Sequence, residues 1–521
     1  MKNERFLRLA CAIGLAAAPA ILASPRASAA QERTLDARAQ AIRLRDAGDF
    51  KAAIAVLRAH LATHPGDGDA LRLLAQLLYW TKDFAGARAT SEQALTIHPE
   101  DTELRLQYAQ MLIETWSGHR AREVLAPVIS SATGGRADAI LGTLDYWEGD
   151  LNGADKHFRS AIAAGNADPA VRRMHADIAV LTAPWIRIAP SYEHDDQPID
   201  RKGAHAEIGW FPIPSTSLSL SGDGMQLDAA DTVSRTVSQA ELGMRHYAAA
   251  ARADIQLGIG GVKRSFGAGS DMIGDIGVAV HLPQHFVLGV NASRSAYLAT
   301  EASLSQAVMT NKGMAYLRFN HPAGWLGETA YRLERFPDSN NLTSAYAWLL
   351  APLVHSSQLN LGLGYAGSLQ NSSESRFALA HPTQPFPPGD PRFDLEGRYQ
   401  PYYTPIDIQS HSVIGAVSAH PSPATTFNAG GSYAFYATES APVFMPVSTT
   451  APAAVSVQRL SFTRHFNPWA AHASVTANAT ADVAFTANAE VFGTAFYMAT
   501  SASVGLTYRL ASRAIRRAGG Y

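Results

Sequence analysis

The chain has 521 residues, enough for two or more domains, with 43 Lys+Arg against 45 Asp+Glu and a formal charge of −2. That balance, with no Lys/Arg-rich run, argues against a polyanion-binding surface and predicts no nucleic-acid partner. Charged residues make up only 17% of the chain, low for a soluble protein of this size.

Residues 1–29 read as a cleaved secretory signal peptide. Lys2, Arg5 and Arg8 form a basic start, an apolar stretch runs from Leu9 to Ala23, and Ala27-Ser28-Ala29 offers a small-residue cleavage site. The apolar run is short for a membrane anchor and Pro19 interrupts it. The single cysteine, Cys11, lies inside this segment, and Arg8 stands where a lipoprotein signal needs an apolar residue. The mature chain is therefore expected to hold no disulfide or cysteine metal site. Cleavage removes four basic residues and one acidic one, leaving 39 and 44 and a charge of −5.

Residues 30–182 repeat with a period of 34. Pro65 and Pro99 each end a helical stretch ("LATHPGD", "LTIHPED"), Ala53, Ala87 and Ala121 keep the 34-residue step, and Ala154 follows at 33. Gly48-Asp49-Phe50, Lys82-Asp83-Phe84 and Gly149-Asp150-Leu151 each stand before the helix that carries such an alanine. Over about residues 34–180 this pattern resembles the tetratricopeptide repeat, with an irregular third unit. The resemblance implies an α-solenoid with a concave groove, onto which Asp69, Arg72, Gln76, Tyr79, Trp80, Tyr146 and Trp147 would face. "YWTKD" and "YWEGD" repeat one aromatic pair, and "TWSGH" supplies Trp116 at a similar place. These aromatics either pack one repeat on the next or anchor a partner protein or a sugar.

From Trp185 the helical period gives way to alternation. In "SQLNLGLGYAG", Leu359, Leu361, Leu363 and Tyr365 share one face and Gln358, Asn360, Gly362 and Gly364 the other. "ADIQLGIGG", "GMAYLRFN" and the closing "SVGLTYRL" alternate likewise. The polar face is Gly, Ser, Thr, Asn and Gln with scattered Arg, as a polar lumen behind a lipid-facing wall requires. Short turns are expected at 212–216, 247–251, 282–285, 321–324, 355–358, 420–424 and 467–470. Longer connections alternate with them at 194–202, 227–233, 263–271, 295–303, 337–341, 371–404, 439–454 and 486–497. Fifteen connections join 16 strands in a transmembrane antiparallel β-barrel over residues 183–510, with both ends on the periplasmic side. The fold class is thus α+β multidomain, a solenoid followed by a barrel, and residues 511–521 form a periplasmic tail.

Ser503, Gly505, Tyr508 and Leu510 resemble the terminal-strand signal read by the barrel-assembly machinery. Signal, repeats and a 16-strand barrel together resemble the outer-membrane exopolysaccharide exporters, of the type of the export porins for cellulose and for poly-N-acetylglucosamine. Those carry longer solenoids than the four or so repeats found here. The resemblance implies a Gram-negative outer-membrane channel with its repeats in the periplasm. There they would dock synthesis or export proteins of the periplasm or inner membrane, or guide the polymer.

Alternation places Asp254, Arg318, Arg332, Glu334, Arg459, His465 and Arg509 in the lumen, as polymer contacts or as paired charges bracing the wall. The loop 371–404, with Phe386, Phe393, Tyr399, Tyr402 and Tyr403, is a possible gate that folds inward or stacks on sugars, or else a plain surface loop. A second class is surface-lipoprotein export, as in the surface lipoprotein assembly modifiers, with the groove binding client protein; 16 strands rather than 14 lean away from it. An enzyme is not expected, since the chain holds no Gly-x-Ser-x-Gly elbow and no His-Glu-x-x-His pair. No cofactor or metal is expected.

Overall fold

The computed structural model describes residues 37–129, 134–197, 199–230, 233–267, 269–380, 395–447, 456–494 and 497–510. The expected signal segment 1–29, Phe386, Phe393 and the tail 511–521 lie outside the described residues. The chain divides into two compact units that meet in sequence at Ile178/Ala179.

The helical unit contains α1 (37–46), α2 (Phe50–Thr63), α3 (Gly68–Trp80), α4 (Phe84–Ile97), α5 (Thr102–Glu114) and α6 (Gly118–Leu125). It continues with α7 (Gly134–Glu148), α8 (Leu151–Ala163) and α9 (Pro169–Leu181). The 34-residue period has a local cause in the helix caps. Asp49, Asp67, Asp83, Asp101 and Asp150 each accept a hydrogen bond from the backbone N–H three residues on. Each such cap stabilises by about 1 kcal/mol. The third repeat breaks the rule: Ser117 makes no side-chain cap, and α6 runs only eight residues before Pro127 draws the chain into a 3₁₀ turn. Ala53, Ala87, Ala121 and Ala154 are all buried where helices touch. Gly142 has the same role against α8, since a Cβ there would stand 2.6 Å from the Phe158 ring.

The second unit is a closed antiparallel barrel. Its strands are β1 (Trp185–Asp195), β2 (Ile199–Ile213), β3 (Thr216–Asp228), β4 (Ser234–Ala248), β5 (Ala253–Arg264) and β6 (Ser270–His281). Then come β7 (Phe286–Ala296), a short helix α10 (Ser303–Gln306), β8 (Met309–Asn320), β9 (Leu326–Arg335), β10 (Asn341–His355) and β11 (Leu359–Ser372). A small hairpin of β12 (Phe377–Leu379) and β13 (Gly397–Tyr399) stands apart from the main sheet. The ring resumes with β14 (Ile408–Ser422), β15 (Thr425–Val447), β16 (Ser456–His465), β17 (Trp469–Asn478), β18 (Val483–Gly493) and β19 (Met498–Arg509). The last strand pairs with the first, from Trp185↔Arg509 to Asp195↔Ala499. Closure leaves no edge, which a sheet surrounded by lipid requires.

Seventeen segments make 16 strands, because β16 and β17 both pair with the 23-residue β15. The two are successive pieces of one strand, interrupted at residues 466–468, where the Ala434 N–H donates to the Pro468 carbonyl at 2.8 Å. This corrects the turn expected at 467–470. Proline lacks a donor and signals a turn, yet here it sits in a strand discontinuity that tolerates the missing N–H. The true turn is 479–482, where Thr480 Oγ1 accepts from the backbone of Asp482 and Val483, each at 3.1 Å. The expected loops shift with it. β15 runs on to Val447 rather than ending at 439, and the last loop is 494–497 rather than 486–497.

The outer face is apolar and open: Ile186, Ile188, Leu220, Leu242, Ile259 and Val504 are each at least half exposed. Such a continuous belt is a liability in water and the expected coat of a lipid-embedded barrel. At the rim of short turns the same face carries Trp210, Phe286, Phe319, Phe485 and Tyr508, and Phe286 and Phe319 lie 4.9 Å apart. Tyr192, Tyr433 and Tyr436 lie toward the rim of long loops. Two such girdles are what membrane interfaces select.

Candidate functional site: the barrel interior and its inward loops

The inner wall falls into three sectors. On β3 to β6 it is acidic: Asp223 bonds His205 at 2.8 Å, and Glu241 and Asp275 both lie over Gly258, in the space a Cβ would take. On β8 to β10 it carries paired charge. Arg318 donates to Glu328 at 2.9 Å and sits 5.2 Å from the Tyr316 ring centroid, Tyr346 donates to the same carboxylate at 2.6 Å, and Lys312 faces Glu334 at 3.6 Å. From β11 through β19 the inward residues are hydroxyls and amides interspersed with Gly and Ala, such as Ser368 bonded to Ser410 at 2.7 Å and Asn488 to Ser503 at 3.2 Å, with His472, Glu490 and Arg509 among them.

Five of the seven expected lumen residues lie on this wall. Asp254 bonds His281 at 2.6 Å near the turn rim, Arg318 and Glu334 are paired as above, Arg332 reaches Met314 Sδ at 3.9 Å, and Arg509 shares the inward face with Ser503 and Gly505. His465 does not, and Arg459 is taken up by the inward-folding loop. Arg459 projects from β16 to the carbonyls of Ser375 and Phe377, each at 3.3 Å. His465 meets the edge of Tyr436, which packs on the outward His411. Strict alternation does not survive the 466–468 interruption or the register shift between His411 and Ser412, because each discontinuity resets which face a side chain takes.

Two connections fold inward at the loop rim. In the first, residues 297–308, Leu304 is fully buried among Ile199, Leu227, Val262 and Ile273 from the inner wall. Arg201, itself held by Glu193 at 2.9 Å and Asp195 at 2.8 Å, donates to the Leu298 carbonyl at 3.1 Å. The second is the loop 371–404. Tyr402 is 1% exposed, stacks on Phe336 with centroids 3.5 Å apart and donates to Asp338 at 2.6 Å. Arg376 donates to the same carboxylate at 2.7 Å. The Tyr403 N–H donates to Tyr297 Oη at 3.1 Å, and Thr300 Oγ1 donates to the Pro401 carbonyl. On its other side Tyr399 packs edge-on against Tyr403 and Phe377, and Phe377 stacks on Phe444 of β15 at 5.4 Å. The described part of the loop therefore reaches from the 297–308 connection to the β15–β16 extension. Tyr399, Tyr402 and Tyr403 are engaged with one another and their neighbours, not presented as free stacking faces.

Burial alone would raise the Asp338 carboxyl, but the Tyr402 hydroxyl and the Arg376 guanidinium outweigh it and hold the group below its ordinary range. Burial pushes the Tyr297 hydroxyl up to about 12. The 371–404 loop is therefore held by a phenol network and by one ionised carboxylate of the β9–β10 connection.

In the helical unit, Asp69, Arg72, Gln76 and Tyr79 fall on one stripe of α3. Asp69 pairs with Arg38 and Arg72, Arg72 faces Asp101 at 3.6 Å, and Tyr79 bonds Glu114 of the next repeat. Trp80 packs 5.8 Å from Phe50 and Trp147 6.4 Å from Trp116, while Tyr146 covers the cluster around Phe158. The tryptophans thus join repeats, and the open stripe is polar. Glu114, Gln110 and the Glu103–Arg136 pair belong to the same run and escape a reading of the sequence, although Glu103, Gln110 and Glu114 lie one repeat on from Asp69, Gln76 and Trp80 respectively. At the C-terminal end Ser503, Gly505 and Tyr508 are in the closing strand β19. Leu510 follows it, donating its N–H to the Pro184 carbonyl at 2.9 Å.

Residues 44–91 match the family model of the tetratricopeptide repeat. No curated protein matches the sequence. Among solved structures, a bacterial polysaccharide outer membrane secretin aligns with 63% of this chain and 99% of its own, at 11% identity and a TM-score of 0.43. CdiB from Acinetobacter baumannii aligns with 63% of this chain and 60% of its own, at 9% identity and a TM-score of 0.35. Over the helical unit, pilF of Pseudomonas aeruginosa covers 29% of this chain and 68% of its own, at 18% identity and a TM-score of 0.27. The assignment rests on the helices and strands themselves: the chain is a tetratricopeptide-repeat region followed by a closed 16-strand barrel of outer-membrane type.

Proposed function

We propose that the protein is an outer-membrane channel that exports an exopolysaccharide, with its repeats in the periplasm docking export partners or guiding polymer. One observation carries this reading: the wall from β11 through β19, where hydroxyl and amide groups such as Ser368, Ser410, Asn488 and Ser503 alternate with Gly and Ala and charges are few. Such a surface offers hydrogen bonds to a neutral polymer with too few charges to hold it fast. The chain enters β1 and leaves β19 at the turn rim, so a periplasmic turn rim puts the repeats and the cargo entrance on one side. The two inward loops then form a gate at the outer mouth, and the protein carries no chemical step of its own. A deletion strain complemented with the full chain tests the reading by parallel assay of extracellular polysaccharide and protease-accessible lipoproteins. Loss of polymer with lipoproteins unchanged is the expected result of the deletion, with recovery on complementation. Unchanged polymer with a lipoprotein missing from the surface would replace this reading with client delivery.

A further inference from the structure

Where the barrel closes, β17, β18, β19, β1 and β2 bring two inward rows of side chains into register. The row nearer the loop rim runs His472, Glu490, Ser501, Glu193 and Arg201. The row beneath runs Ser474, Asn488, Ser503, Ser191 and Gly203. Neighbouring strands lie about 4.8 Å apart and residues two along a strand about 7 Å apart. The wall therefore offers a hydrogen-bonding group at roughly 5 Å intervals along the upper row and along the lower one as far as Ser191. These rows line a cavity of about 450 Å³, within the range of roughly 300–1,000 Å³ usual for small-molecule sites.

The groups in the cavity are not equivalent. Arg201 is spent on Glu193, Asp195 and the Leu298 carbonyl. Among the described residues, His472, Glu490, Ser501, Ser474 and Ser191 have no side-chain partner, so their hydrogen-bonding capacity faces the lumen unused. Gly203 leaves a gap in the lower row, and its neighbour Met225 supplies an apolar floor there. A pyranose has this chemistry in reverse, with a rim of hydroxyls around an apolar C–H face.

We infer that this closure-seam cavity is a sugar-binding subsite for uncharged hexose units. The inference deepens the export reading above and rests on it. With its one cation already paired and Glu490 left free, the site accepts neutral sugars and repels uronates. Because Arg201 also fastens the 297–308 connection, the bound unit sits directly against the gate, where a polymer would pause before release.

The test uses the full chain carrying Cys11→Ala, refolded in a zwitterionic detergent without sugar headgroups. Ser503→Cys is labelled with a neutral maleimide in the presence of cellohexaose, and Ser418→Cys on the β14 inner wall serves as the control. At a concentration about three times Kd, a single site slows labelling at 503 by about fourfold. Position 418 should be unaffected, oligogalacturonate should protect neither, and adding Asn488→Leu should remove the protection. No protection at 503, or equal protection at both positions, overturns the subsite. Either result leaves the export reading to be judged by the polymer assay, which does not depend on this cavity.

Discussion

The contact most open to perturbation is Tyr402. Its ring is 1% exposed and stacked at 3.5 Å on Phe336, and its hydroxyl donates to Asp338 at 2.6 Å. Tyr402→Phe keeps the stack but removes the hydrogen bond to the Asp338 carboxylate, a loss of about 1.5–3 kcal/mol, together with the longer one accepted from Arg376 Nε at 3.2 Å. Asp338 keeps Arg376 at 2.7 Å, which places the effect at the lower end of that span. Tyr402→Ala also removes the ring, and deleting a buried aromatic costs about 3–5 kcal/mol. At about 1.4 kcal/mol per decade, the closed arrangement of the 371–404 loop then weakens by roughly two to four orders of magnitude. Single-channel recording in planar bilayers reads this directly. Conductance and open dwell time should rise modestly in Tyr402→Phe and strongly in Tyr402→Ala. If Tyr402→Ala conducts like the parent while its barrel remains folded by circular dichroism, the loops do not close the mouth and the reasoning fails.

Three further outcomes are expected. Asp338 has a lowered pKa, so its stabilisation is complete above the ordinary carboxylate value and fades as pH falls through the folded value; channel openings should increase below about pH 4, and Asp338→Asn should abolish that rise. Arg201→Ala leaves Asp195, whose side chain is 0% exposed, without its cation; breaking a buried pair in this way costs about 3–5 kcal/mol, and limited proteolysis should then cut within 297–308. Leu510→Asp puts a charge at the outward end of the closing strand, and the fraction of heat-modifiable, folded barrel on gels should fall.

Much of the architecture is legible in the sequence because it rests on strict periods. The 34-residue step of Ala53, Ala87 and Ala121 marks helix contacts that only a small side chain fits, and the aspartates at Asp49 and Asp83 cap helices wherever they recur. The barrel is legible for the same reason, since alternation is enforced on every strand by lipid outside and water within. Reading fails where a local event breaks the period. Pro468 carries the same turn signal as Pro283, yet one interrupts a strand and the other ends one, and only the pairing of β15 with both β16 and β17 distinguishes them. His465 is misplaced in consequence. The inward course of residues 297–308 leaves no periodic trace, because Leu304 is one apolar residue among small ones and its partners lie on strands far away in sequence.

The central claim is that polymer leaves through the lumen, past the two inward loops. Glu301 and Arg398 pair across those loops at 3.4 Å, with side chains 36% and 50% exposed. Replacing them by cysteines (Glu301→Cys, Arg398→Cys) allows a cleavable, membrane-impermeant thiol cross-linker to lock the contact on intact cells. Release of extracellular polysaccharide should stop once cross-linking is complete and resume when the linker is cleaved. Polymer release that continues unchanged through complete cross-linking would contradict the account.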